Sequence, residues 1–298
     1  MFLELPHFLK LNLFLELYMG LEYQCPTCGL VLKQHKASQG FYCVNKHHFD
    51  RNEQGYWVFT KPQRQKPTGD SREQVRAKRF LLESGIFSPL IDKLAEIITG
   101  SITPDACLLD YECAQGFFLR ALASKLAEVE NPLNVQYVGV ADAENAIFAA
   151  AKAQTPGILC LSSSKKLPFI DNCVDFITVI DRPLKGKESV RILKDDGTML
   201  LVMPGPRHLW QLREYIYPDL AEKPFKVNLP SALSVKDTQA LSFTLSVTGE
   251  QALTLLDMAP YAWRATDKMK HDIQANHFES LEIDYVLVSA HKRVVESL

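Results

Sequence analysis

The sequence predicts an α/β protein with a mostly parallel sheet covered by helices on both faces, preceded by a small metal-binding module. Two patterns carry this reading. After residue 89, short apolar runs alternate with helical periods, and residues 25 to 47 read CPTCGLVLKQHKASQGFYCVNKH, with a C-x2-C pair followed by C-x3-H.

The elements follow in order. The first eighteen residues, MFLELPHFLKLNLFLELY, are apolar but interrupted by Glu4, Pro6, Lys10 and Glu16. They have neither a basic leader nor a small-residue cleavage site, and the charged breaks exclude a spanning helix. Met19 offers a compact alternative start, so residues 1–22 form an extension to which no function is assigned.

Residues 23–60 form the module. Zinc takes four sulfur and nitrogen ligands in a tetrahedron, and a C-x2-C turn presents two thiolates to one ion without strain. Cys25, Cys28 and Cys43 supply three ligands and His47 the fourth, with His48 competing for that place. Four protein ligands leave no open position, so the predicted site is structural. The competing reading, a redox C-x2-C, requires a strand and a long helix around the motif, and this stretch is polar and turn-rich. So small a module buries little surface, so metal supplies most of its predicted stability.

Residues 61–88 form a basic connector and helix. From Lys61 to Arg79, seven Lys or Arg face only Asp70 and Glu73, a local charge of +5 by subtraction. Pro62, Pro67 and Gly69 keep the first half extended; from Ser71 on a helix is predicted, capped by Asp70 or Ser71. Such density suits phosphate contacts, or a solvated linker face. The chain as a whole carries a formal charge of −2 over 298 residues, which excludes wholesale electrostatic binding to nucleic acid.

Residues 89–298 form the body. The predicted elements are a helix at 89–99, strand 106–109, helix 115–127, strand 135–140, helix 144–154, strands 158–161 and 176–180, a helix near 186–193 and strand 199–203. Buried apolar strands separated by helices imply βαβ units. Ligands of such sheets bind at the carboxyl ends of the strands, around the first βα turn, here Asp110-Tyr111-Glu112-Cys113-Ala114-Gln115-Gly116. Residues 223–237 read as a non-periodic insertion over that face. Tyr261, Trp263 and Arg264 form an aromatic–cation cluster that suits either base stacking or the core at a helix end. Seven cysteines, four scattered among apolar residues, indicate a reducing, cytoplasmic compartment.

The module, the connector GDSREQVRAKRFLLESGIFSPL, SSSKKLPF at 162–169, PGPRHL at 204–209 and MAPYAWRA at 258–265 together resemble the bacterial guanine-N1 methyltransferases of large-subunit ribosomal RNA, the RlmA type. The resemblance runs from about residue 23 onward. It implies a Rossmann-like class I methyltransferase sheet, S-adenosylmethionine as cofactor, a structural Zn2+, an rRNA hairpin as substrate, no membrane, and a homodimer. Carried across, the cofactor contacts fall on Phe87, Ala114, Gln115 and His208, with Asp110 opening the loop, Gly116 closing it and Asp142 near the ribose. Asp181 and His208 are the candidate bases for the guanine N1 proton.

Three cofactor-facing elements depart from the resemblance. The family's D-x-G-x-G-x-G reads D-Y-E-C-A-Q-G here, Ala141 replaces the ribose-clasping carboxylate with Asp142 one place late, and Asp181-Arg182-Pro183 stands for tyrosine-alanine-proline. The missing glycines predict backbone strain at the loop, and Glu112 predicts repulsion of the cofactor's carboxylate. The sequence therefore supports two outcomes: an active methyltransferase, or a methyltransferase-like zinc protein that binds RNA with weakened or lost turnover.

Overall fold

The computed structural model describes residues 21–60, 71–129 and 133–293. The N-terminal extension to residue 20 and the connector's first half, with Lys61, Arg64, Lys66 and Asp70, lie outside the described residues.

A finger of three two-residue antiparallel strands comes first: β1 (Lys33–Gln34), β2 (Phe41–Tyr42) and β3 (His48–Phe49). The next strand, β4 (Trp57–Val58), leaves the finger and joins the edge of the main sheet. Helix α1 (Arg72–Glu83) starts at Ser71, whose hydroxyl accepts from the Gln74 N–H while the Gln74 side chain accepts from the Ser71 N–H. This reciprocal capping satisfies two amides at the helix start and settles the cap in favour of Ser71.

The body continues with α2 (Ser88–Thr99), β5 (Cys107–Tyr111), α3 (Phe117–Ala127), β6 (Gln136–Ala141), α4 (Glu144–Lys152), β7 (Ile158–Leu161), β8 (Val174–Ile180), α5 (Glu188–Ile192), β9 (Leu193–Pro204), α6 (Trp210–Ile216), β10 (Leu233–Thr248), α7 (Gly249–Met258), a 3-10 turn (Ala262–Arg264), α8 (Asp267–Gln274) and β11 (His277–Lys292). The eight strands lie in the order β10-β11-β9-β8-β5-β6-β7-β4. Strands β4 to β9 run parallel and β11 enters antiparallel between β9 and β10. From β5 on, this is the class I methyltransferase arrangement, with the chain reversing direction across the sheet at β5, between β6 and β8.

Every residue of β5 is buried, and its side chains alternate between two cores. Leu108 packs with Leu90, Leu94, Leu119 and Leu122 of α2 and α3, while Leu109 packs on the opposite face with Val138, Ile177 and the aromatic residues of the finger.

The finger is fused to the body more closely than its length suggests. Trp57 pairs with Cys160 and Val58 with Leu161 in parallel register. Gln24 N–H donates to the Pro168 carbonyl at 2.9 Å and Phe59 N–H to the Leu161 carbonyl at 2.9 Å. The Tyr23 ring lies 4.3 Å from Phe41 and 5.6 Å from Phe169 between centroids. Burial against the sheet thus adds to whatever a metal contributes.

The body's early strands lie within a few residues of their predicted positions. The stretch 223–237 differs: Leu233 already begins β10, so only the segment before it is irregular. The long antiparallel pair β10–β11 went unpredicted. Among the described residues no helix is long and apolar enough to cross a membrane.

Candidate active site and metal centre

Cys25, Cys28, Cys43 and His47 converge, with their ligand atoms all within 4.8 Å of one another. Cys25 Sγ lies 3.6 Å and Cys43 Sγ 3.4 Å from His47 Nδ1, and Cys28 Sγ lies 3.7 Å from Cys43 Sγ. A tetrahedron with metal–sulfur bonds of about 2.3 Å has edges of about 3.8 Å, so three thiols and one imidazole stand where a zinc ion would hold them. Two turns build this geometry. Gly29, with φ +74°, closes the first by donating to the Cys25 carbonyl at 2.8 Å, and the Lys46 N–H closes the second on the Cys43 carbonyl at 2.9 Å. The choice between adjacent histidines resolves by strand geometry, since His48 lies on β3 with its ring 6.3 Å from Tyr42.

The second centre is an open cavity at the carboxyl ends of β5 and β8. Its wall includes Phe87, Asp110, Glu112, Ala114, Gln115 and Asp181. Val75, Lys78 and Leu82 bring the basic helix α1 over it. Nothing local to α1 signals what it covers, so its place over this site emerges only from the fold.

The β5–α3 loop keeps a glycine backbone with only one of the family's three glycines. Glu112 has φ +57°, Ala114 φ +49° and Gly116 φ +72°, so all three glycine positions of the family pattern are left-handed. A Cβ in that region costs on the order of 1 kcal/mol. Gly116 itself is obligatory, since a Cβ there would stand 2.5 Å from Thr155 Oγ1. The loop shape required for close approach is therefore formed, under strain at two of its three turning points.

Glu112 does not face the cavity as a bare charge. Lys185 Nζ, in the loop after β8, lies 2.6 Å from Glu112 Oε1 and 3.7 Å from Asp142 Oδ2. The Tyr111 hydroxyl holds that lysine's backbone, accepting from the Lys185 N–H at 3.1 Å. Lys185 thus ties the two displaced carboxylates together and neutralises the repulsion expected from Glu112; no local sequence signal links residues so far apart in the chain.

Two further carboxyls bound the cavity. Asp110 is buried and accepts from the Thr178 hydroxyl at 3.2 Å. Burial pushes its pKa up to about 7, against the opposing pull of that bond and of Arg182. Asp181, at the end of β8 with φ +48°, is likewise pushed up to about 7 by burial, with Arg182 opposing. Gln115 Oε1 is buried with no hydrogen-bond partner among the described residues. A cavity wall with an unsatisfied acceptor, two carboxyls and a loop in the glycine conformation fits a nucleoside that carries an amino acid through sulfur, such as S-adenosylmethionine, whose hydroxyls, ammonium and adenine amine are donors.

Gly116, Asp142 and His208 lie outside the cavity wall. His208 sits behind Tyr285, 4.5 Å between ring centroids, and its Nδ1 accepts from the Asp284 N–H at 3.3 Å. Burial lowers its pKa to about 4. The ring is neutral at pH 7 and its accepting nitrogen is already engaged by that amide, an arrangement poorly suited to taking the guanine N1 proton. The rest of the PGPRHL turn is held against β11: Arg207 pairs with Glu282 through Nε and Nη2, both at 2.6 Å, and a Cβ at Gly205 would run into the Asp284 carboxylate.

The loop predicts its own repair. Because the folded loop already holds the left-handed shape, Glu112→Gly with Ala114→Gly should show the relief, roughly 1 kcal/mol per position offset by the lost Lys185 pair, as a higher melting temperature, with S-adenosylmethionine affinity by calorimetry little changed. An affinity raised tenfold or more would show that the wild-type loop leaves this shape when the cofactor is absent.

No family model matches the chain. It is 27% identical over 257 residues to the Bacillus subtilis protein named "Putative 23S rRNA (guanine-N(1)-)-methyltransferase YxjB", covering 82% of this chain and 87% of that one. It is 28% identical over 194 residues to the 23S rRNA (guanine(748)-N(1))-methyltransferase of Streptomyces fradiae, covering 63% of this chain and 65% of that one. Among solved structures, the geranyl diphosphate C-methyltransferase of Streptomyces coelicolor matches 68% of this chain and 76% of its own, with a TM-score of 0.40 and 12% identity. The YcgJ protein of Bacillus subtilis matches 67% of this chain and 98% of its own, with a TM-score of 0.40 and 16% identity.

Proposed function

We propose that the protein transfers a methyl group from S-adenosylmethionine to N1 of an unpaired guanine in large-subunit ribosomal RNA. The observation that carries this reading is the cavity at the sheet's switch point, walled by Asp110, Gln115 and Asp181, in a chain similar over most of its length to proteins named for that reaction.

Bound there, S-adenosylmethionine would supply an electrophilic methyl group. Phe87 and the backbone at Ala114 and Gln115 would hold the cofactor, with Gly116 setting the loop's closing turn at the start of α3. Asp110 would orient it from below. Asp142 would reach the ribose only in concert with Lys185, and His208 would act through Tyr285. Guanine N1 holds its proton at neutral pH, and a carboxyl with a pKa near 7 is matched to removing it. Asp181 is assigned that role. N1 is hidden in a paired stem, so the target guanine must be unpaired or flipped. The zinc finger, held against β7, would brace the sheet edge beside this site, and the chain would act in the cytoplasm as a homodimer.

A second reading rests on the left-handed Cβ atoms at Glu112 and Ala114: an RNA-binding zinc protein with weak turnover. Labelled methyl transfer to a 23S rRNA transcript, read by primer extension, separates the two, because an N1-methyl blocks base pairing and stops the polymerase. Incorporation with a stop at one loop guanine is expected. RNA binding without incorporation at saturating cofactor would favour the second reading.

A further inference from the structure

We propose that Trp263, Arg264, Tyr217 and Tyr261 form a stacking platform for unpaired bases of the RNA, leading from the protein surface to the cavity; the inference rests on the rRNA reading above. The sequence left Tyr261, Trp263 and Arg264 between base stacking and core packing, and the structure adds Tyr217 to them. The structure places Trp263 at 76% exposure, the highest among the described large apolar side chains. An indole of that size exposed at the end of a helix connection is costly to leave without a partner.

The surrounding chemistry selects the partner. The Arg264 guanidinium lies 4.7 Å from the Trp263 ring centroid and 5.6 Å from that of Tyr217. No carboxylate pairs with Arg264 among the described residues, in contrast to Arg207, which pairs with Glu282 and Glu222. A cation held by aromatic faces and free of counter-charge suits a nucleic acid strand, whose bases stack on the rings and whose phosphates meet the guanidinium. A protein partner would more commonly bury such a tryptophan among apolar neighbours, and here the adjoining groups are cationic and phenolic.

The platform also points inward. Tyr217 and Tyr261 meet edge to face with centroids 6.1 Å apart. The Tyr261 hydroxyl is buried with no hydrogen-bond partner among the described residues, and the charge of Asp181 reaches it. Met258, three residues before Tyr261, lies on the cavity wall together with Asp181. The run from Trp263 through Arg264 and Tyr217 to Tyr261 therefore leads toward the carboxyl assigned to the guanine N1 proton, whose charge the buried Tyr261 phenol feels.

The test uses the full chain and two probes of equal length, an RNA hairpin with unpaired loop guanines and a fully paired RNA duplex. Wild type should prefer the hairpin. Trp263→Ala should weaken hairpin binding roughly tenfold or more, and Trp263→Phe should retain most of it, because stacking tolerates any flat ring. Arg264→Gln should lower the log–log salt slope by about one. Hairpin binding should quench tryptophan emission in wild type and less so in Trp263→Ala. Trp57 is 5% exposed and contributes little to the change, and the half-buried Trp210 accounts for the signal that remains in Trp263→Ala. Melting temperatures should be unaltered, since Trp263 is outside the core. Equal hairpin affinity in wild type and Trp263→Ala would overturn the platform and leave the rRNA reading intact. Failure of wild type to bind the hairpin would overturn both. A change in sedimentation with Trp263→Ala at unmoved RNA affinity would overturn the platform in favour of an interface between copies of this chain.

Discussion

Protein treated with a chelator, or carrying Cys43→Ser, is expected to lose β1 to β3 while β5 to β11 persist. Purified protein should carry about one zinc per chain, and either treatment should remove it. Without the ion, Cys25 and Cys43, 1% and 3% exposed, are left facing each other and His47 around an empty centre. The finger strands have two residues each and cannot persist on two-residue ladders alone. Apparent zinc affinities of small structural sites are about 10 to 16 kcal/mol, far more than such strands can replace. The metal-free state should nevertheless be partial. Trp57–Val58 is hydrogen-bonded to β7, and Tyr23, Phe41 and Phe59 pack on the sheet face. Proteolysis within the finger should therefore appear first between residues 30 and 47, with protection persisting at Trp57–Val58. Unchanged melting and no new cleavage in zinc-free protein would refute a structural role for the metal. Global unfolding would show that the ion also holds the sheet edge.

The difference between what this sequence discloses and what it conceals follows the range of the interactions. Strands β5 to β8 are buried on both faces and read as apolar runs, and the zinc ligands announce themselves because the metal constrains close sequence neighbours. The β10–β11 pair carried a weaker signal. Leu241, Phe243, Leu245 and Val247 alternate with Ser and Thr, which is a strand period, but the preceding stretch of Lys, Asp and Gln is solvent-facing and masks it. The strand Trp57–Val58 is too short to show any period. At the active site the departures from the family loop were visible as residues, and the left-handed backbone they must adopt follows from the pattern. Their electrostatic consequence was not visible. Glu112 reads as a repulsive charge until Lys185 is placed 2.6 Å away, and only the crossover from β5 to β8 brings those residues together. His208 similarly reads as a reactive group in a conspicuous motif, whereas its burial behind Tyr285 depends on β11, the element the sequence did not disclose.

Asp181→Asn should lower the methyl-transfer rate by about a hundredfold to ten-thousandfold with S-adenosylmethionine affinity little changed, the range expected for removing a general base. Asparagine is the informative replacement because Asp181 occupies φ +48°, a conformation that Asp and Asn tolerate better than other side chains bearing a Cβ. The wild-type rate should rise as the pH climbs through about 7, where Asp181 loses its proton, and the variant should lack that rise. Stability supplies the control. The folded pKa of Asp181 is raised above its ordinary value of 3.8, so protonation favours the folded state; its contribution is present below about pH 4 and lost as the pH climbs through about 7. Asp181→Asn removes the cost of burying that charge and should melt no lower than wild type at pH 8. A large loss of rate in a protein of undiminished stability is then a chemical effect. His208 variants should differ in kind. Their losses should leave the pH dependence in place, because the ring packs behind Tyr285 and is already neutral at pH 7, with its pKa near 4. An Asp181→Asn enzyme with the wild-type rate and pH profile would remove Asp181 as the base. Asp110, which shares the cavity and the raised pKa, would then be the carboxyl to test, through Asp110→Asn.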